Sequence, residues 1–235
     1  MSRRERRRSA LAPGALALVL LASASAPGCF DNVGTPFPPG LEPWESTNQA
    51  LAPAPVDGDV CPETITFARV APYGNAIAEH ARACIHAPID VVWASIRNPQ
   101  TGRDPTSTQP PFMVLPEPIA SECDGLYETQ LHVDDIIDVD FRICWRHAVV
   151  EGTDDAPLVT ATRWQKVWGT SVLRTLEGSL VAHPHPDDPG ITELEYQYHL
   201  DGVMGSAERI ESYLSVIYAR LRDDAHGIPL LPADD

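Results

Sequence analysis

Proton transfer in an apolar setting is the chemistry that the polar residues of this sequence suggest. His147 and Arg174 each alternate with apolar neighbours along strand-like segments, so both are predicted to point into the fold. A histidine near a tyrosine can act as an acid or a base, and a buried arginine must either pair with a carboxylate or bind the acidic head of a ligand. Arg163 lies in a segment that fits two orientations, with one of two sets of residues inside: Trp164 and Trp168, or Val159, Ala161 and Val167.

The sequence lacks the motifs that are typical of other kinds of catalysis. It contains no G-x-S-x-G, no H-E-x-x-H and no glycine-rich phosphate loop. His183 and His185 lie in a proline-rich loop with two aspartates, where a solvated turn is a better interpretation than a metal site. We therefore predict no catalytic residue, no metal and no cofactor, although scattered cavity residues such as His147 leave an enzymatic alternative open.

Aromatic and aliphatic residues share the predicted inward orientation of His147. A pocket that they line would suit an apolar ligand with a volume on the order of a few hundred cubic ångströms, oriented by a few polar groups. The alternative is that the aromatic rings pack against one another and leave no pocket. The predicted ligand-binding residues are Tyr127, Phe141, Trp145, His147, Arg174, Tyr196, Tyr198, Tyr213 and Ile217.

An antiparallel meander is the predicted framework for these residues. Segments with alternating apolar residues cover 126–133, 139–149, 157–168, 172–183 and 191–200, and turn signals separate them. Before them, a strand over 76–87 leads through Pro88 into a short helix that ends at Pro99. The proline-rich stretch 100–118 is expected to form a loop with at most one helical turn. Such a sheet needs a cover on one face.

A long C-terminal helix over 206–222 is predicted to supply this cover. Ser206 is a suitable N-cap, and Glu208 in the first turn complements the helix dipole. An apolar stripe at helical spacing follows and must be buried against the sheet. Its residues are Ile210, Tyr213, Leu214, Ile217, Tyr218 and Leu221.

The order of these elements resembles the helix-grip fold of the START-like superfamily, which includes polyketide cyclases. The segment Ile85-His-Ala-Pro88-Ile-Asp90-Val-Val-Trp93 looks like the family's opening strand and helix, and Leu200-Asp-Gly202 before the last helix looks like its close. The resemblance covers residues 76–222. It implies an α+β fold in which a curved antiparallel sheet wraps around the last helix, with a cavity that in relatives accepts lipids, sterols, polyketides or other apolar molecules. It carries over no catalytic residue, and the prolines of 99–125 stand where the family often has a second helix.

An export signal is predicted over the first 28 residues. Five arginines precede an apolar run over 10–24, and small residues follow. This run is shorter than the roughly 20 apolar residues of a transmembrane helix. Ala26-Pro27-Gly28-Cys29 resembles the lipobox of bacterial lipoproteins, in which the cysteine is acylated, and ordinary secretion is the alternative. We predict that acylated Cys29 anchors the protein to a membrane of the bacterial cell envelope, facing the periplasm or the outside.

The predicted mature protein is strongly acidic. Removing residues 1–28 takes away five arginines and one glutamate, so the net charge of −16 becomes −20. This charge disfavours nucleic acids and anionic bilayer surfaces as partners. We predict a Pro-rich tether over 29–62, a single domain over 63–227 and a C-terminal tail over 228–235.

The cysteines after Cys29 are even in number, as expected in an oxidising compartment. Cys61, Cys84, Cys123 and Cys144 allow three pairings into two disulfides, and their spacing matches no compact zinc motif. The alternative is that Cys84 and Cys144 are buried in the reduced state as small apolar residues.

The leading hypothesis is a non-enzymatic, lipid-anchored protein that binds a hydrophobic small molecule between sheet and C-terminal helix. One alternative is a cyclase- or hydrolase-like enzyme acting on an apolar substrate in the same cavity, for which His147→Ala would abolish turnover and spare ligand uptake. Another is an envelope protein with a filled core that acts through its surface, for which no cavity is expected.

Overall fold

The structure, a computed structural model, describes most of the chain from Ser46 to Leu230. The described residues are 46–58, 61–72, 74–104, 108–115, 123, 127–133, 139–203 and 205–230. The predicted export signal, Cys29 and the first part of the predicted tether lie outside them, as do residues 231–235 of the predicted tail.

One eight-stranded antiparallel sheet and two helices make up the described fold. The strand order is β1-β2-β8-β7-β6-β5-β4-β3, so β2 pairs with β8 and every other neighbour is adjacent in sequence. This order confirms the predicted α+β architecture, a curved antiparallel sheet around a C-terminal helix. The elements are β1 (Ile65–Arg69), β2 (Ile77–Ile85), α1 (Ile89–Ile96), β3 (Thr108–Leu115), β4 (Tyr127–Val133), β5 (Val139–Thr153), β6 (Ala156–Gly169), β7 (Leu173–His185), β8 (Asp188–Gly202) and α2 (Ala207–Ala225).

The C-terminal helix α2 buries its apolar stripe against the inner face of the sheet. Ser206 is the N-cap, and its hydroxyl accepts a hydrogen bond from the Arg209 N–H. Ile210 and Leu214 are each 1% exposed and belong to one core cluster with Trp93 of α1. Residues four apart on a helix share a face, so the stripe packs as a unit.

Alternation along the strands separates the two faces of the sheet. On β5, Phe141 and Ile143 belong to the core under α2, as predicted. Cys144, which follows Ile143 in the sequence, packs on the outer face with Cys123 and Val167. Successive side chains of a strand point to opposite faces, which explains how one segment serves both clusters.

Both edge strands differ from the sequence prediction. The stretch 100–118, predicted as a loop, contains β3, which pairs with β4 through a register shift between Gln109 and Met113. Prolines are tolerated there because an edge strand leaves one side of its backbone unpaired. At the other edge, β1 pairs with β2, although no strand was predicted before residue 76.

Part of the predicted tether is bound to the outer face of the sheet. The Asn48 backbone N–H donates to the Glu195 carboxylate at 2.9 Å, and the Asn48 side-chain amide donates to the Glu195 carbonyl at 2.6 Å. The Leu51 N–H donates to His80 Nδ1 at 3.1 Å. Asn48 and Ala52 are buried. Residues 46–58 are therefore held against the sheet by polar contacts, which leave no periodic apolar pattern in the sequence.

Two disulfides tie loop residues to the sheet. Cys61 bonds Cys84 of β2, with a Cα–Cα distance of 6.0 Å, and Cys123 bonds Cys144 of β5, with a Cα–Cα distance of 5.6 Å. One of the three open pairings is thereby selected. The alternative in which Cys84 and Cys144 are reduced is wrong.

Candidate functional site

A cavity lies between the inner face of the sheet and α2. One side is formed by the turn that follows α1, residues 98–102, which we call the closing turn, and the other by residues of α2 and of the central strands. Its volume of about 40 Å³ holds one or two water molecules, whereas small-molecule sites measure roughly 300–1,000 Å³. This cavity, as the described residues line it, is thus much smaller than the pocket expected from the sequence, and the core at this place is not completely filled.

Aromatic rings form a continuous row between the sheet and the helices, and four of them, those of Tyr127, Trp145, Trp164 and Tyr213, line the cavity. Neighbouring ring centroids are 5.6 to 6.3 Å apart, within the range of favourable aromatic pairs. Gly178 of β7 makes room for this row, because a Cβ atom there would clash with the Trp164 indole. The row runs through Trp93, His147, Tyr127, Trp145, Trp164, Tyr198 and Tyr213.

Polar side chains of the cavity wall are held by hydrogen bonds. The Trp145 indole N–H donates to the Thr129 hydroxyl at 2.8 Å. The Thr101 hydroxyl donates to the Ser95 carbonyl at 3.0 Å. These contacts fix the orientation of the wall and leave its apolar atoms facing the cavity.

Tyr196 of β8 is an exception among the hydroxyl groups of this wall. Its side chain lines the cavity and is 2% exposed, and its hydroxyl has no hydrogen-bond partner among the described residues. Burial raises the pKa of the Tyr196 hydroxyl, and the nearby Tyr218 and Tyr213 raise it further. The hydroxyl therefore stays neutral and remains a hydrogen-bond donor.

His147 supports the cavity wall without belonging to it. Its Nδ1 lies 2.8 Å from the Thr162 hydroxyl, and its Nε2 lies 3.4 Å from the Tyr127 hydroxyl. Burial lowers the pKa of His147 to about 4, and the Arg97 guanidinium contributes to this shift. The imidazole is neutral at pH 7 and positions Thr162 and Tyr127, both of which line the cavity.

Hydrogen bonds attach the closing turn to α2. The Tyr213 hydroxyl donates to the Gly102 carbonyl at 3.2 Å. The Arg220 guanidinium donates twice to the Gln100 carbonyl, at 3.2 and 2.9 Å. The Asn98 amide donates to the Asp224 carboxylate at 3.2 Å. The closing turn is thus pinned along one face of the helix, over the cavity.

Arg174 lies outside the cavity, so its predicted inward orientation is wrong. Its guanidinium pairs with the Asp201 carboxylate, and its side chain is 55% exposed. The pairing of β7 with β8 shifts register between Leu173 and Thr175, so Arg174 is the extra residue of a bulge. A bulge breaks the alternation from which the inward orientation was inferred.

Of the two open orientations of β6, the one with the tryptophans inside holds at Trp164 but not at Trp168, and the one with Val167 inside does not hold. Trp164 lies inside, in the core cluster. Trp168 lies with Arg142, whose guanidinium carbon is 4.5 Å from the centre of the Trp168 ring, and Val167 belongs to the outer cluster. A register shift between β5 and β6 near Arg142 inserts Val167 as an extra residue, so the alternation that holds at Trp164 does not continue to Trp168. Arg163 is half-buried and does not line the cavity.

The remaining predicted ligand-binding residues divide into two groups. Phe141 and Tyr198 are buried in the core and do not line the cavity. The residues that do line it are Tyr127, Trp145, Tyr196, Tyr213 and Ile217. The sequence analysis did not assign Trp164, Thr162 or the closing turn to the site, because bulges and loop contacts leave no periodic signal.

A buried carboxylate lies beside the first turns of α2. Glu79 of β2 is 0% exposed, and neither of its carboxylate oxygens has a hydrogen-bond partner among the described residues. Arg69 is 4.0 Å away and is shared with Glu208 and Glu211 of α2. Burial, with Glu211 adding, raises the pKa of Glu79 to about 7.

The histidines of the β7–β8 hairpin pair with a carboxylate. His183 Nε2 and His185 Nε2 lie 4.0 and 3.6 Å from the Glu193 carboxylate. Across the part of the chain that the structure describes, no three His, Cys, Asp or Glu side chains are grouped so as to hold a metal ion. Within the same residues, no helix has the length and apolar character needed to cross a membrane.

Comparison with known proteins identifies the fold. No protein-family model matches the chain, and no curated protein matches it. The crystal structure of a STAR-related lipid transfer protein from Xanthomonas axonopodis covers 70% of this chain and 95% of its own, with 13% identity and a TM-score of 0.51. This chain has the START-like helix-grip fold.

Two further structures show a weaker likeness to this helix-grip chain. Human StAR-related lipid transfer protein 5 matches 71% of this chain and 85% of its own, with 13% identity and a TM-score of 0.46. The Zhui aromatase/cyclase from Streptomyces sp. R1128 matches 65% of this chain and 92% of its own, with 14% identity and a TM-score of 0.39.

Proposed function

We propose that this protein is exported, anchored to the cell envelope through acylated Cys29, and binds a lipid-like hydrophobic molecule between the sheet and α2. The observation that carries the proposal is the cavity wall, in which aromatic and aliphatic side chains surround one unpartnered hydroxyl. Apolar walls with few polar groups are the usual composition of small-molecule sites. The fold adds support, since a protein with the same fold is named for lipid transfer.

Ligand entry requires the cavity to expand. The closing turn is held to α2 by side chains of Tyr213, Arg220 and Asn98, and each such hydrogen bond contributes about 1 kcal/mol. Burying roughly 200 Å² of apolar ligand surface contributes about 5 kcal/mol of favourable binding free energy, at about 25 cal/mol per Å². The two magnitudes are similar, so a lipid-sized ligand can displace the closing turn and hold the cavity open.

Binding without turnover is the function that the polar groups favour. His147 is the candidate acid or base, yet its pKa of about 4 leaves it unprotonated at pH 7 and its nitrogens face Thr162 and Tyr127. A general base works best with a pKa near the working pH. We therefore assign His147 a positioning role.

The ligand is tested on protein purified from its native envelope after detergent-free release. We expect native mass spectrometry to show an added mass, and solvent extraction to recover an apolar molecule. Recovery of no ligand, together with no binding from a panel of lipids, would contradict the proposed binding function.

The anchor is tested separately by growth with radioactive palmitate. We expect label on the full-length protein, none on a Cys29→Ser variant, and loss of that variant from the membrane fraction. Retention of Cys29→Ser in membranes would show that acylation is not what attaches the protein.

A further inference from the structure

The hydroxyl of Tyr196 has no structural partner in the cavity wall. Several buried polar atoms lack a partner within the described residues, but among them the Tyr196 hydroxyl belongs to a residue that lines the cavity. A buried hydroxyl without a hydrogen bond destabilises a fold, so such groups are uncommon in native structures.

We propose that the Tyr196 hydroxyl selects the ligand by donating a hydrogen bond to a neutral oxygen, such as a ketone or ester carbonyl, carried on an apolar skeleton. The inference rests on the proposed function, because it names the class of molecule that the same cavity binds.

The position of Tyr196 directs its hydroxyl toward α2. On the sheet it lies opposite Ala81 of β2 and Leu180 of β7, both of which belong to the core under α2. Tyr213 and Tyr218 of α2 are near enough to raise its pKa. The side chain therefore lies on the face of the sheet that α2 covers, beside the space where a ligand would lie.

Neighbouring hydroxyls do not satisfy Tyr196. The Tyr213 hydroxyl donates to the Gly102 carbonyl at 3.2 Å, and the Tyr218 hydroxyl donates to the Cys84 carbonyl at 2.8 Å. Each of these two tyrosines thus has a backbone acceptor, whereas the Tyr196 hydroxyl has no partner among the described residues. A molecule in the cavity can supply the acceptor that the described residues do not offer to Tyr196.

A neutral oxygen fits this environment better than a charged group. None of the described residues that line the cavity is charged. A carboxylate or phosphate placed there would lose its hydration without gaining a counterion, and that loss is costly. A pure hydrocarbon would leave the Tyr196 hydroxyl unsatisfied. An apolar molecule with one buried carbonyl avoids both penalties.

A matched pair of probes tests this selectivity. 2-Acetylnaphthalene and 2-ethylnaphthalene have nearly the same shape, and they differ in carrying a carbonyl or a methylene at one position. Binding of both to the full-length protein is measured by titration calorimetry for the wild type, Tyr196→Phe and the control Tyr218→Phe. Circular dichroism checks that each variant is folded.

Loss of one neutral hydrogen bond corresponds to about a tenfold change in Kd. We expect Tyr196→Phe to bind the ketone about tenfold more weakly and the hydrocarbon as well as the wild type does, and Tyr218→Phe to leave the ratio of the two affinities unchanged. Equal effects of Tyr196→Phe on both probes, or no effect on either, would mean that the hydroxyl binds only water and would overturn the inference while sparing the proposed function. Failure of both probes to bind the wild type would overturn the two together.

Discussion

The Tyr213 hydroxyl donates a hydrogen bond to the Gly102 carbonyl at 3.2 Å and so joins α2 to the closing turn. Tyr213 and Gly102 both line the cavity. A Cβ atom at Gly102 would lie 3.3 Å from the Trp145 ring, so the turn also rests closely on the aromatic row. If a ligand enters as proposed, we expect the closing turn to be the part of the wall that moves.

Removing this contact is expected to open the cavity more readily. Tyr213→Phe keeps the ring in the aromatic row and loses one hydrogen bond, so the free energy of unfolding should fall by about 1 kcal/mol. Association of 2-acetylnaphthalene, followed by tryptophan fluorescence in a stopped-flow instrument, should become faster. The control is Tyr218→Phe, whose hydroxyl bonds the Cys84 carbonyl away from the turn. Equal association rates in both variants would show that the Tyr213 contact does not limit entry.

Tyr196 and Tyr218 make a matched pair for stability in the absence of ligand. Tyr196→Phe removes a buried hydroxyl for which the described part of the chain offers no partner, so the free energy of unfolding should stay unchanged or rise by about 1 kcal/mol. Tyr218→Phe removes a satisfied hydroxyl and should lower it by about 1 kcal/mol. Urea denaturation measures both. A loss of stability in Tyr196→Phe as large as in Tyr218→Phe would mean that the Tyr196 hydroxyl is already satisfied.

Glu79 is expected to make the fold less stable as the pH rises. Its pKa is raised from 4.5 to about 7 in the folded state, so the folded protein holds a proton that the unfolded chain releases. The contribution of protonated Glu79 to the free energy of unfolding is present in full below pH 4.5. It is lost as the pH rises to about 7, and the free energy of unfolding then falls by at most about 3 kcal/mol.

A glutamine at position 79 removes this dependence. The free energy of unfolding of Glu79→Gln should exceed that of the wild type at about pH 8 and should equal it near pH 4.5. Glu151→Gln, which changes an exposed carboxylate, is the control and should follow the wild type. A difference between Glu79→Gln and wild type that is the same at every pH would contradict the raised pKa.

The predictable part of the fold is the part with regular periodicity. The meander from Tyr127 to Gly202 and helix α2 follow from alternation and from an apolar stripe, because burial of one face imposes those periods. Strand β3 was missed because its prolines indicate a loop, and only pairing with β4 along an edge makes them acceptable.

The site was harder to predict than the fold. Alternation placed Tyr127, Trp145 and Tyr196 at the cavity wall, but it failed for Arg174, where a bulge inserts one residue. The closing turn has no periodic signal at all, since it is held by side chains of α2 about 110 to 130 residues away in sequence. Contacts of that range depend on the finished fold.

The disulfide between Cys61 and Cys84 is expected to stabilise the fold and to keep segment 46–58 bound to the sheet. It closes a loop of 23 residues, so replacing both cysteines by serine should lower the free energy of unfolding by about 3 kcal/mol. The same change at Cys123 and Cys144 should have a similar effect on stability.

Limited proteolysis distinguishes the effects of the two disulfides on segment 46–58. Segment 46–58 should be cleaved faster in the variant without the Cys61–Cys84 bond than in the variant without the Cys123–Cys144 bond, because only the first bond is adjacent to this segment. Equal cleavage of the segment in both variants would show that its hydrogen bonds to Glu195 and His80 suffice to hold it.

The central claim, that an apolar molecule binds between the sheet and α2, is tested most directly by filling the cavity. Ile217 lines it, whereas Ser212 on the same helix is exposed, so Ile217→Trp and Ser212→Trp form a matched pair. Native mass spectrometry of delipidated protein incubated with lipids measures the bound fraction in each. We predict that wild type and Ser212→Trp take up ligand and that folded Ile217→Trp does not. Undiminished uptake by Ile217→Trp, or none by the wild type, would contradict the claim.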